Sequence, residues 1–144
     1  MNFLIIFVCV FVYTNASISQ GLLDQAKSKI QEYGLQCVET EKPTDADIEA
    51  FMNKQPPKTH AGKCVMRCVF EKFDIMHPDG TYGEGNVEWL NKVKAEDEDI
   101  YNKIQEAYEV CQEQVKTEDL CERAFDLVEC GKEESKKREL DEYF

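Results

Sequence analysis

The sequence predicts an all-α fold, a six-helix bundle stapled by disulfides. Three observations lead there. No stretch sustains a period-2 alternation of apolar and polar residues, and β-branched residues are sparse. Apolar residues recur instead at helical spacing along the chain. An export-type segment precedes six cysteines, and an even set of cysteines in an exported chain reads as a disulfide framework. The length of 144 residues fits one domain.

Residues 1–16 carry no charged side chain, and Phe3 to Val12 is unbroken by any polar residue. That run is too short to cross a bilayer, which needs about 20 apolar residues. Thr14-Asn15-Ala16 puts small residues three and one before a cut. The segment therefore reads as a secretory signal peptide cleaved after Ala16, although it lacks a basic n-region; a cut after Ser19 is the alternative. Cleavage after Ala16 removes Cys9 and leaves six of the seven cysteines. The sequon Asn15-Ala16-Ser17 straddles that cut, so glycosylation there is not expected. Residues 17–131 then form the helical domain and residues 132–144 a charged C-terminal tail.

The helices follow in order. Leu22, Leu23, Ala26 and Ile30 form the first apolar stripe. Thr44-Asp45-Ala46-Asp47 after Pro43 is a capping-box pattern, followed by Ile48, Phe51 and Met52 at helical spacing. Pro56-Pro57 closes that second helix. The third runs from His60 to about Met76 and carries Cys64, Val65, Met66, Cys68, Val69, Phe70 and Phe73; a helix apolar all round is the buried one. His77-Pro78-Asp79-Gly80 marks a turn. Val87, Trp89, Leu90 and Val93 mark a fourth helix, and Ile100, Ile104, Ala107, Tyr108, Cys111 and Val115 a fifth. Thr117, Glu118 and Asp119 open a sixth, with Leu120, Cys121, Ala124, Phe125, Leu127 and Val128; Gly131 is its expected stop.

Charge and motifs exclude several functions. The net charge of -12 speaks against nucleic acid and anionic membranes as partners, because both are held by basic faces. No Gly-x-Ser-x-Gly elbow and no His-Glu-x-x-His pair occurs, and an enzyme is not expected. His60 and Cys64 are four apart, but two ligands fall short of zinc's usual four, so no metal or cofactor is expected. An EF-hand loop with Gly80 at position six would start at Ile75 and end at Asn86, where acidic residues are required. The run Glu96-Asp97-Glu98-Asp99 reads as a helix N-terminal cluster complementing the dipole.

The mature cysteines are Cys37, Cys64, Cys68, Cys111, Cys121 and Cys130, separated by 26, 3, 42, 9 and 8 residues. Cys64 and Cys68 share one helix face, so each must reach a different element, and one buried helix is stapled to two others. Six cysteines permit 15 pairings, and spacing does not choose among them. With these gaps, its helicity and its export segment, the chain resembles insect odorant-binding proteins of the six-cysteine, pheromone-binding type over the whole mature sequence. The gaps of 3 and 8 are the diagnostic ones.

The resemblance implies the pairs Cys37–Cys68, Cys64–Cys121 and Cys111–Cys130. It also implies an internal hydrophobic cavity, so that the chain would carry odorants, pheromones or lipid-like molecules through an extracellular fluid such as sensillum lymph. A physical argument runs parallel: crosslinks contribute stability that packing would otherwise have to provide, so helices are free to surround a pocket. The expected ligand-binding residues are Leu23, Ile30, Phe51, Met66, Phe70, Met76, Trp89, Val93, Tyr108, Phe125 and Leu127. The Tyr108 hydroxyl is the candidate for orienting an alcohol, aldehyde or ester. His77 is a candidate pH switch in a lid loop, with Tyr143 and Phe144 covering the cavity mouth. Expected partners are a small hydrophobic ligand and an olfactory receptor complex, with the chain a monomer or weak homodimer. The competing expectation is a secreted interaction, salivary or venom protein with a solid core and no ligand.

Overall fold

A computed structural model describes residues 17–143, so the expectation for the signal segment lies outside the described residues. The described chain forms six α-helices: α1 Gln20–Glu41, α2 Asp45–Met52, α3 His60–Lys72, α4 Val87–Glu96, α5 Glu98–Gln114 and α6 Leu120–Lys137. A 3-10 turn, Asp141–Tyr143, follows α6. Among the described residues no helix is long and apolar enough to cross a membrane.

Side-chain caps start each helix. The Ser19 hydroxyl accepts from the Leu22 amide at α1, Asn86 from Trp89 at α4, and Asp97 from Ile100 at α5. The expected capping box at α2 is complete: Thr44 accepts from the Asp47 amide, and the Asp47 carboxylate accepts from the Thr44 amide. Glu98 and Asp99 sit in the first turn of α5, where they complement the dipole as expected. At α6 the cap is Asp119 alone, accepting from Cys121 and Glu122. Thr117 instead donates its hydroxyl to Asp126 within that helix.

Helix ends depart from the sequence reading. α3 stops at Lys72, four residues before Met76, because Asp74 turns left-handed at φ 56° and the amides of Ile75 and Asp74 bond back to Phe70 and Glu71. These are the two bonds of a Schellman motif. Met76 lies beyond the helix, in an antiparallel bridge with Tyr82. α6 runs through Gly131, its expected stop, to Lys137. It ends in another Schellman motif, with Glu139 left-handed at φ 59° and the Leu140 amide bonded to the Ser135 carbonyl at 2.9 Å. Residues 132–137 of the expected tail are therefore helix, and the turn after them sends the chain back onto the bundle.

The three disulfides are Cys37–Cys68, Cys64–Cys121 and Cys111–Cys130, with Cα separations of 5.7, 4.5 and 5.8 Å. Cys68 ties α3 to α1 and Cys64 ties it to α6, so the three-residue gap staples α3 to two neighbours. Those same helices supply its principal packing contacts, and α5 lies against α4 and α6.

Eight of the buried apolar residues group into two clusters. One gathers Ile18, Leu22, Val93, Ile100 and Leu140, from the N-terminal end of α1, α4, α5 and the C-terminal turn. The other gathers Cys111, Val115 and Leu127, with Phe70, Ile75, Tyr82 and Tyr108 packed on it. Leu140 is 1% exposed, which makes the C-terminal segment part of the core. Leu140→Ala is expected to cost about 3 kcal/mol, within the range of about 2–5 kcal/mol for emptying a buried leucine site, and a thermal melt measures it.

Candidate functional site

Phenylalanine is among the residues most often fully buried in a domain, whereas tryptophan and tyrosine usually keep part of their surface exposed. Here every aromatic side chain among the described residues is half-buried, neither enclosed nor free in solvent. Phe51, Phe70, Phe73, Phe125 and Trp89 belong to this set, as do Tyr33, Tyr82, Tyr101, Tyr108 and Tyr143. The largest fully enclosed side chains are instead those of Met76, Leu140, Val93, Asp47 and two disulfide cysteines, Cys37 and Cys111.

The expected ligand-binding residues divide accordingly. Leu23, Phe51, Met66, Phe70, Trp89, Tyr108 and Phe125 are half-buried. Val93 and Leu127 are closed inside the first and second clusters, and Met76 is fully enclosed. Ile30 is 53% exposed on α1 and packs into neither cluster. Its apolar stripe is right for a helix, but the bundle turns that position outward.

Two clefts open between the helices. One, of about 370 Å³, runs between the loop at Gly83 and helices α4 and α5; Val87, Leu90, Tyr101, Gln105, Tyr108 and Gln112 help to line it. Tyr101, Gln105, Tyr108 and Gln112 succeed one another at three- and four-residue steps on α5, a spacing from which the sequence reading took only Tyr108. The second cleft, of about 560 Å³, lies between α2, the Asn53–Lys58 connection, Lys63 and Phe125. The Lys63 ammonium stands 4.5 Å from the centre of the Phe125 ring, a cation–π contact across its wall.

The Tyr108 hydroxyl is already engaged. It donates to the Ile75 and Gly83 carbonyls at 2.6 and 2.9 Å, pinning the loop between α3 and α4 onto α5. Burial pushes its pKa up to about 12. With its proton committed, the hydroxyl offers a ligand only its lone pairs. This changes the role expected of it, from orienting donor to loop anchor.

His77 holds the same loop. Its ring nitrogens lie 2.9 Å from the Asp74 carboxylate and 2.9 Å from the Thr81 hydroxyl, and the Thr81 hydroxyl donates to Asp79. Tyr143 packs against the first cluster beside Leu140, while Phe144 lies outside the described residues.

His60, Cys64 and Cys121 bring three ligand-type atoms within 4.8 Å of one another, but the two sulfurs are bonded to each other. The His60 imidazole bonds Asp119, the cap of α6, at 3.1 Å. The amide of Glu122, with His60, holds the Asp119 carboxyl below the usual range.

Comparison with known proteins completes the description. The model of the PBP/GOBP family matches residues 19–134. General odorant-binding protein 28a of Drosophila melanogaster is 29% identical over 117 residues, 81% of this chain and 82% of that protein. General odorant-binding protein 19d of the same organism is 31% identical over 114 residues, 76% of this chain and 74% of that one. The solved structure of the Drosophila melanogaster odorant-binding protein dmelOBP28a superimposes with a TM-score of 0.67 at 28% identity, covering 82% of this chain and 98% of that one.

Proposed function

Because the chain belongs to the PBP/GOBP family, we propose that it is an exported carrier that takes up small apolar molecules reversibly and moves them through extracellular fluid. The observation that carries this reading is the half-buried state of every described aromatic side chain, in a bundle whose buried core is split in two and whose helices are held by three disulfides. A guest supplies the contacts that the protein's own packing leaves unmade. We assign Leu23, Met66, Phe70 and Trp89 to its walls, with Tyr108 and Phe125 at the two clefts.

Titration of a dye such as N-phenyl-1-naphthylamine tests this, with an expected Kd on the order of micromolar. Absence of any uptake would return the protein to the solid-core interaction class. We propose that release occurs at low pH. Glu134 is buried near the end of α6; hydrogen bonds from Lys137 and Arg138 hold its carboxyl below the usual range, and Arg138 also faces Glu106. A lowered carboxyl pKa means that this tie persists above about pH 4.5, the ordinary glutamate value, and is lost below it. Dye affinity should accordingly be flat from pH 7 to pH 5 and fall below pH 4.5, in His77→Ala as in the wild type. A fall centred near pH 6 would contradict the assignment.

We further infer that export removes residues 1–16 and no more. Ile18 belongs to the first cluster, and Ser19 caps α1 while its amide and hydroxyl donate to Glu96 at 2.7 and 2.8 Å. A cut after Ser19 would discard all of these contacts. The intact mass of the secreted chain should correspond to a start at Ser17; a start at Gln20 would refute this.

A further inference from the structure

The two clefts differ in charge. Glu84 and Glu109 line the cleft at Tyr108, and no basic side chain does. The cleft at Phe125 is lined by Lys58 and Lys63 against a single carboxylate, Glu49. It sits where the sequence is locally basic: between Glu49 and Glu71 the chain carries Lys54, Lys58, Lys63 and Arg67 and no acidic residue, although its net charge is -12. Arg67 is ion-paired with Glu41 and Glu71, and Lys63 with Glu122 at 2.7 Å. Lys54 and Lys58 are exposed and have no ion pair among the described residues. The backbone of Lys58 is nevertheless fixed, because its amide donates to the buried Asp47 carboxylate at 2.8 Å.

We propose that the cleft at Phe125 binds a small aromatic anion, held by the Lys58 ammonium and by the apolar surfaces of Phe125 and the Pro56-Pro57 pair. The inference rests on the carrier reading above, and gives one of its two clefts a ligand class that the other refuses. A volume of about 560 Å³ falls within the range of small-molecule sites. A ring and two prolines suit a flat aromatic body, which gains from contact with another ring beyond the area it buries. The charge of a carboxylate, sulfate or sulfonate needs a cation not already neutralised, and Lys58 is that cation in the lining. Lys63 is engaged by Glu122 and by the Phe125 ring, 4.5 Å away. Elsewhere the net charge of -12 repels an anion, and the carboxylates of Glu84 and Glu109 turn it from the other cleft.

Two dyes with one skeleton test this, since 8-anilino-1-naphthalenesulfonate is N-phenyl-1-naphthylamine with a sulfonate added. The quantity measured is the ratio of anionic-dye to neutral-dye affinity. Lys58→Glu should lower that ratio about tenfold, because it replaces an attraction by a repulsion at close range. Lys27→Glu makes the same change of net charge at an exposed lysine of α1 that lines neither cleft, and should alter the ratio less than twofold. Added salt supplies a readout that needs no variant. In the wild type it should lower the ratio if the sulfonate meets Lys58, and raise it if the sulfonate meets only the field of the whole chain. A rise with salt, or equal ratios in the two variants, would overturn the proposal while leaving the carrier reading intact. Failure of both dyes to bind the wild type would overturn the carrier reading, and this proposal with it.

Discussion

Replacing both Cys64 and Cys121 with alanine should lower stability by about 4 kcal/mol and produce the largest loss among the three disulfides. The pairs close loops with sequence separations of 57, 31 and 19 residues, in the order Cys64–Cys121, Cys37–Cys68 and Cys111–Cys130. In the chain-entropy model, the corresponding stabilisations are about 4.2, 3.7 and 3.3 kcal/mol. Native geometry widens the gap for the first pair. It joins α3 to α6, the most extensive helix contact in the bundle, and Cys64 and Cys121 are 9% and 5% exposed. Urea unfolding of the three double variants measures the order, and dye uptake should fall in parallel. An unchanged midpoint for the Cys64, Cys121 variant would mean that packing alone holds α3, and the argument that crosslinks permit an unfilled interior would lose its basis.

The staples were legible because a three-residue gap on a helix forces two partners, whatever their identity. Helix ends were not. The left-handed positions that close α2, α3 and α6 are occupied by Lys54, Asp74 and Glu139, where glycine is the usual signal, and the glycine that looked like a stop, Gly131, lies inside α6. Misplacing those ends hid the return of the chain at Leu140, since a run of charged residues reads as solvated unless its helical continuation is seen. Side-chain roles were legible only where they were local. Asp47 was readable as a capping-box residue three positions after Thr44. Its bonds to Lys58 and Thr59 were not, because a loop containing two prolines brings them back. Tyr108 and Trp89 stood together as candidate ligand contacts, yet only the folded chain separates them: one polar group is spent on the backbone and the other is left unpaired.

Asp47→Ala is the second large loss, expected at about 3–4 kcal/mol. Asp47 is fully enclosed, and one carboxylate holds the starts of two helices. It accepts from the Thr44 amide and hydroxyl at 3.2 and 2.8 Å, from the Lys58 and Thr59 amides at 2.8 and 3.1 Å, and from the Thr59 hydroxyl at 2.5 Å. Thr59 in turn caps α3 through the Gly62 amide at 3.1 Å. Gly62 leaves room for this arrangement, since a Cβ there would lie 2.6 Å from Pro57 and 2.8 Å from the Asp47 carboxyl. Burial alone would raise the Asp47 pKa, but the hydrogen bonds from Thr59, Thr44 and the Lys58 amide outweigh it and hold the carboxyl far below the usual range. A folded-state pKa below the unfolded value of 3.8 gives stability that is present above that value and is lost as pH falls toward the folded one. The stability gap between wild type and Asp47→Asn should therefore be constant from pH 8 to pH 5 and narrow below about pH 4, because asparagine does not titrate. A gap that instead changed between pH 7 and pH 5 would mean that Asp47 is not charged in the folded protein, and the joint cap of α2 and α3 would need another account.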